Sequence, residues 1–169
     1  YGVSQTRLKD SVYNDSASNV IGQTKGTIFM EVNRFGENGT GPYENLFFLG
    51  DGSISNFINI VYYVNNNRYQ AQIRSSGSTS VSIVSDLDYT GTIKLAMTYS
   101  SSKASFFING KKMGDDTSVT LPASTLNTIG LMSYRTNISA DNFIGENKQT
   151  LLFPTALTDD ECIALTKID

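Results

Sequence analysis

The chain has 169 residues, 39% of them hydrophobic and only 17% charged, with 13 basic and 16 acidic side chains and a formal charge of -3. That balance excludes a disordered tail, and no run of eighteen apolar residues is present to make a membrane-spanning helix. No basic cluster occurs, which removes nucleic-acid binding through phosphate neutralisation.

Residues 1–19 are polar and weakly patterned, with Val3, Leu8, Val12 and Tyr13 as apolar anchors, and predict an edge strand or an incoming connection. Ile28, Met30 and Val32 alternate with Thr27, Phe29 and Glu31, the period-two pattern of a strand with two distinct faces. Residues 34–45, RFGENGTGPYEN, hold three glycines and a proline and read as a loop. A short apolar run at 46–49 ends in the turn Gly50-Asp51-Gly52. A hairpin follows, in which residues 56–64 turn through Asn65, Asn66 and Asn67 into residues 68–74. Its return arm places Tyr69, Ala71 and Ile73 on one face and Arg68, Gln70, Gln72 and Arg74 on the other. Beyond a turn at 75–80, Val81, Ile83 and Leu87 predict one more short strand.

The most strongly patterned stretch spans residues 89–114. Ile93, Leu95, Met97 and Tyr99 alternate with Thr92, Lys94, Ala96 and Thr98, and Phe106 and Ile108 alternate with Ser105, Phe107 and Asn109. Ser100, Ser101 and Ser102 break the pattern where a turn is needed, and Asn109-Gly110 supplies residues that tolerate the positive φ of a tight hairpin. This is the predicted centre of an antiparallel β domain. Residues 118–122 and 128–132 read as brief strands, and 143–153 as the last long one.

After Pro154 comes the one predicted helix. Thr158 is its N-cap, Asp159, Asp160 and Glu161 fill the first turn, and Thr158 with Glu161 fits a capping box. Leu157 and Cys162 sit where a hydrophobic staple closes, and Cys162, Leu165 and Ile168 are expected to pack the helix down. Roughly ten or more short strands and a terminal helix predict an all-β, antiparallel two-sheet sandwich, with residues 1–169 as one domain. The opening at Tyr1, without methionine or signal pattern, predicts a fragment of a longer chain.

Three stretches resemble a known superfamily. Residues 90–114 end in Asn109-Gly110-Lys111-Lys112-Met113-Gly114, residues 128–131 read TIGL, and residues 142–165 read NFIGENKQTLLFPTALTDDECIAL. They are similar to the strand pair, short strand, and capped closing helix of the laminin-G-like branch of the concanavalin A-like lectin and glucanase jelly rolls. Residues 21–32, IGQTKGTIFMEV, resemble an opening strand common in bacteriophage tail-fibre and other virion surface domains of this fold. The resemblance implies a jelly-roll sandwich at a virion surface, serving as a receptor-binding or decorating module, with a homotrimer as the parent fibre. Two departures stand out. Tryptophan is absent, and Gly91-Thr92-Ile93 occupies the start of the central strand where relatives often carry one. Several relatives also hold calcium, but Asp51, Asp86, Asp88, Asp115, Asp116 and Asp141 are scattered and form no DxDxDG loop, so calcium stays open as a cofactor.

Catalysis is not expected. The glucanase branch carries an ExDxxE strand whose carboxylates lie about 5–5.5 Å apart, as retaining hydrolysis requires, and no such pattern occurs here. Glu31 is central to a strand but has only Phe29 and Asn33 as same-face neighbours. With no histidine, Ser-His-Asp and Cys-His sites and the usual zinc sets are excluded. Cys162, the only cysteine, reads as a small buried apolar residue and permits no internal disulfide.

The remaining chemistry is recognition. The surface is dominated by 20 Ser, 17 Thr and 15 Asn, a composition that suits sugar hydroxyls as well as water. Sugars present apolar ring faces and dense hydroxyls, which aromatic platforms with planar amide and guanidinium groups can match. Two places combine these: the hairpin with Tyr62, Tyr63, Asn66, Arg68, Gln70, Gln72 and Arg74, and the loop with Tyr134, Arg135 and Asn137. The loop at 34–45, with Tyr43, is a third. Each also has a plain reading as a compliant turn or solvated strand face. The expected function is a non-catalytic phage module recognising a host cell-surface polysaccharide or receptor. The alternatives are a carbohydrate-binding module of a secreted polysaccharide-degrading enzyme and a structural, trimerising or decoration domain of a fibre.

Overall fold

A computed structural model describes residues 12–36, 41–132 and 143–168. Eleven antiparallel strands and a C-terminal helix lie within them. In chain order they are β1 (Val12–Asn14), β2 (Lys25–Arg34), β3 (Tyr43–Gly50), β4 (Phe57–Tyr63), β5 (Arg68–Ser75), β6 (Ser78–Val84), β7 (Gly91–Ser100), β8 (Ala104–Ile108), β9 (Lys111–Asp116), β10 (Thr128–Leu131), β11 (Gly145–Phe153) and α1 (Asp159–Thr166). Six strands form one sheet in the order β1-β10-β3-β4-β5-β6, and five form the other in the order β11-β2-β7-β8-β9. The predicted two-sheet sandwich is the observed one.

The strongly alternating stretch lies at the centre of the five-stranded sheet. β7 pairs with β2 over ten residues without a bulge, from Lys25 opposite Ser100 to Arg34 opposite Gly91. That register sets Ile28, Met30 and Val32 beside Met97, Leu95 and Ile93, all fully buried. A slip of one residue would turn every one of them to the other face. The β7–β8 turn is tied by Ser100, whose Oγ accepts from the Lys103 backbone N–H at 3.0 Å. At the β8–β9 turn, Asn109 and Gly110 take φ of 50° and 77°, as the Asn-Gly pair requires.

The inner faces of both sheets meet in one core. Ile58, Ile60, Tyr69, Ala71 and Ile73 from the six-stranded sheet join Leu95, Met97, Phe106 and Ile108 from the other. A second, smaller cluster lies on the outer side of the five-stranded sheet, where Cys162 of α1 packs on Phe29, Ala96 and Phe107. Burial pushes the Cys162 thiol up to about 11, helped by the charges of Asp159 and Glu161, so it stays a protonated packing group.

Four local expectations fail. Residues 34–45 are not all loop, since Arg34 closes β2 and Tyr43, Glu44 and Asn45 open β3, where ladder pairing outweighs the glycines and proline between them. Residues 118–122 form no strand: Thr120 donates its N–H to Ser80 Oγ at 2.6 Å and the Leu121 carbonyl accepts from Ser75 Oγ, so side-chain hydroxyls replace a ladder. Leu87 is 58% exposed, because β6 ends at Val84. Ile168 is 41% exposed, because Lys167 is extended and carries the chain off the helix.

Candidate functional site

The outer face of the six-stranded sheet has the makings of a recognition surface. Antiparallel register arranges its outward side chains in rows across β3, β4 and β5. The first row is Gly50, Phe57 and Arg74; the second is Phe48, Asn59 and Gln72; the third is Asn45, Val61 and Gln70; the fourth is Tyr43, Tyr63 and Arg68. β4 thus presents Phe57, Val61 and Tyr63 around the amide of Asn59, with amides and guanidinium groups along β5. A pocket of ≈ 230 Å³ opens over these rows between Tyr43 and Arg74, floored by Phe57, Asn59 and Val61 and walled by Asn45 and Gln72.

Each part of this surface is held from below or beside. Phe48 and Phe57 tilt against each other with ring centres 5.6 Å apart. The Phe48 ring lies over Gly50, where an added Cβ would come within 2.5 Å of it. Asn59 is only 3% exposed; its Nδ2 donates to Asn45 Oδ1 at 3.3 Å, and its Oδ1 has no hydrogen-bond partner. Gln70 and Gln72 donate to Ser82 Oγ and Thr79 Oγ1 at 2.7 and 3.3 Å, which fixes both amides along β6.

Arg74 is positioned by a chain of bonds through two turns. Asp51 accepts from Ser53 N–H, Asn56 Nδ2 and Ser124 Oγ at 2.9, 2.9 and 2.7 Å. Asn56 Oδ1 in turn accepts from the N–H of Ser76 at 2.8 Å, and Gly77 N–H donates to the Ser55 carbonyl. Ser76 and Gly77 both take positive φ, and the Gly77 carbonyl receives Arg74 Nε at 2.9 Å. The guanidinium is therefore directed, half-buried, at the pocket wall. Among the described residues no carboxylate lies within ion-pair distance of it.

The residues singled out in the sequence fall into four groups. Tyr63, Arg68, Gln70, Gln72 and Arg74 share the outer face. Asn66 is exposed in the short 3-10 turn Val64–Asn66, where its carbonyl and that of Asn67 accept from Arg68 Nη1 at 3.3 and 2.9 Å. Tyr62 is turned the other way, since strand alternation places it with Ile58 and Ile60 in the core. Its ring meets that of Tyr69 edge-on, the Arg34 guanidinium lies 3.6 Å over its face, and its hydroxyl donates to Asn67 and Asp88. Tyr134, Arg135 and Asn137 lie outside the described residues. Tyr43 and Asn45, from the third candidate stretch, also line the pocket, whereas Phe57, Asn59 and Val61 were missed by the sequence reading. The signal was Asn59, a lone amide amid the apolar run of β4, which marks where the outer face needs a polar group.

No Asp or Glu lines the pocket among the described residues, and Glu44, adjacent to it in sequence, is fully buried against Arg34. Among those same residues no group of three or more His, Cys, Asp or Glu is placed to hold a metal.

No family model and no curated protein sequence matches the chain. Solved structures do. The CBM40 of Ruminococcus gnavus IT-sialidase bound to α2,3 sialyllactose superposes with a TM-score of 0.74 at 15% identity, covering 95% of this chain and 95% of that one. The two-sheet jelly-roll fold is therefore shown. The native heptameric SAP-like pentraxin from Limulus polyphemus shares this jelly roll at a TM-score of 0.68 and 12% identity, over 90% of this chain and 73% of its own. In the NanB sialidase from Streptococcus pneumoniae the similar region is a part, covering 98% of this chain but 28% of that one, at a TM-score of 0.73 and 14% identity.

Proposed function

We propose that this jelly roll is a non-catalytic glycan-binding module whose ligand lies on the outer face of the six-stranded sheet and carries an acidic sugar. The observation that carries this reading is Arg74, a guanidinium fixed by the Gly77 carbonyl at the wall of the pocket, without a carboxylate partner among the described residues. A planar guanidinium suits a carboxylate through paired, charge-assisted hydrogen bonds. Beside it, the pocket is lined by Phe57 and Val61 and by the amides of Asn59 and Gln72, a mixture that suits an apolar ring face with hydroxyl or acetamido groups. The sialyllactose complex of the structurally similar CBM40 supports a sialylated oligosaccharide as the first ligand to try.

Two settings follow for the module, and each has its own support. Residues 21–32 support a phage virion fibre that recognises a host surface polysaccharide, where a trimer would multiply a weak single-site affinity. The likeness to modules of sialidases supports a binding domain appended to a secreted carbohydrate-active enzyme. The recognition chemistry is the same in both.

The test is titration of the protein with 3′-sialyllactose and with lactose, followed by calorimetry or protein NMR, with and without calcium. Binding of the first alone is expected, and Arg74→Ala should weaken it by roughly ten- to a hundredfold, the worth of one charge-assisted contact. Indifference to Arg74, or equal binding of lactose, would sink the acidic-sugar reading. No binding of these or of an arrayed glycan panel by an oligomerised protein would favour a structural fibre domain.

A further inference from the structure

The pocket continues beyond the Arg74 end into a second, aromatic part. In the fourth row Tyr43 and Tyr63 face each other across β3 and β4, with ring centres 4.7 Å apart and planes inclined by only 15°. Tyr43 is 40% exposed and lines the pocket. The ledge is rigid: the Val64 N–H donates to the Pro42 carbonyl at 2.9 Å, joining the two strand ends that carry the rings. Arg68, opposite Tyr63, is folded back onto the Asn66 and Asn67 carbonyls and borders the same row. Phe57, opposite Arg74, and Tyr63 lie six residues apart on β4, about 20 Å at the rise of an extended strand. One sugar ring cannot span both ends.

We infer that the Tyr43–Tyr63 ledge is a second subsite that takes a sugar further along the chain, so that the module reads an acidic oligosaccharide rather than an isolated acidic monosaccharide. The inference rests on the glycan-binding reading above and adds to it the length and direction of the ligand. The acidic residue sits at the first and second rows, over Phe57 and beside Arg74. The chain then runs along β4 past Val61, and a following ring lies with its apolar face on the exposed tyrosine. Stacked phenol rings suit this, because they give a broad apolar surface at little cost in side-chain entropy while their hydroxyls stay wet. The third row places Gln70 beside Val61 between the two ends.

The experiment compares N-acetylneuraminic acid with 3′-sialyllactose on the wild type, Tyr43→Ala, Tyr63→Ala, Tyr63→Phe and Arg74→Ala proteins, by calorimetry or NMR titration. The wild type should bind the trisaccharide roughly tenfold more tightly than the monosaccharide. Tyr43→Ala and Tyr63→Ala should lose that gain while keeping the monosaccharide affinity, and Tyr63→Phe should retain the gain. Arg74→Ala should weaken both ligands together. Equal wild-type affinities, or tyrosine variants that weaken the monosaccharide as much as the trisaccharide, would overturn the second subsite and leave the acidic-sugar site standing. Absence of binding to either ligand would overturn both. Because Tyr43 is exposed, Tyr43→Ala gives the reading even where Tyr63→Ala proves unstable.

Discussion

Asp51 shows how a single side chain fixes the pocket from a distance. Burial alone would raise its carboxyl, but hydrogen bonds from Ser53, Ser124 and Asn56 outweigh that and hold it down to about 2. Since the folded state titrates below the unfolded chain, the stabilisation is complete above the ordinary value of 3.8 and is lost as pH falls towards about 2. In urea unfolding across that window, the advantage of the wild type over Asp51→Asn should shrink as the pH falls. A difference independent of pH would mean that the charge on Asp51 contributes nothing. Asp51 was visible in the sequence only as part of a Gly-Asp-Gly turn. Its three partners come from residues as far off as Ser124, and no local pattern announces them.

At the scale of the element, α1 is the most local structure in the chain and the one most fully legible beforehand. The Thr158 hydroxyl accepts from the Glu161 N–H at 3.3 Å, and Glu161 Oε2 accepts from the Thr158 N–H at 2.7 Å. These partners are three residues apart, so spacing alone predicts them. Lys103 and Lys112 add charge from the sheet, both reaching Asp159 at about 3 Å. The Lys112 amine is raised by its bonds to Asp115 and Asp159, and Asp159 is lowered by the same lysines. Thr158→Ala should cost about 1 kcal/mol, read as a lower urea midpoint at unchanged slope. Its glycan affinity should equal that of the wild type, because α1 packs on the five-stranded sheet, opposite the proposed site. A loss of affinity would place part of the site on that face instead. Residues 118–122 show the opposite case: their alternation resembles a strand, but they form no ladder, and bonds to the Ser80 and Ser75 hydroxyls anchor them instead.

At the scale of the whole molecule, one buried ion pair bridges the two sheets beneath the aromatic end of the pocket. Arg34 at the end of β2 lies 3.6 Å from Glu44 on β3, with side chains only 9% and 0% exposed, and its guanidinium covers the Tyr62 ring. Glu44 lies between Tyr43 and Asn45 in sequence, so the pair also secures the strand that carries the ledge. Glu44→Ala should destabilise the fold by roughly 3 kcal/mol, since it removes a buried carboxylate that faces the Arg34 guanidinium, and chemical denaturation measures this directly. A loss below about 1 kcal/mol would mean that the pair contributes no more than a surface bridge. The sequence read Arg34 as the start of a loop, because an ion pair between strands of different sheets leaves no mark in either. By itself the sequence determined what depends on near neighbours: the strands through period-two alternation, the hairpin through Asn109-Gly110, the helix through its cap, and the polar face of β5. Tertiary structure alone decided which strands became neighbours, and therefore which side chains share a row. Tyr62 and Tyr63 are adjacent in the chain, yet one is locked in the core and the other stacks on Tyr43 at the surface. Register and the choice between two faces settle that, and both follow from the global burial of the core rather than from any local preference.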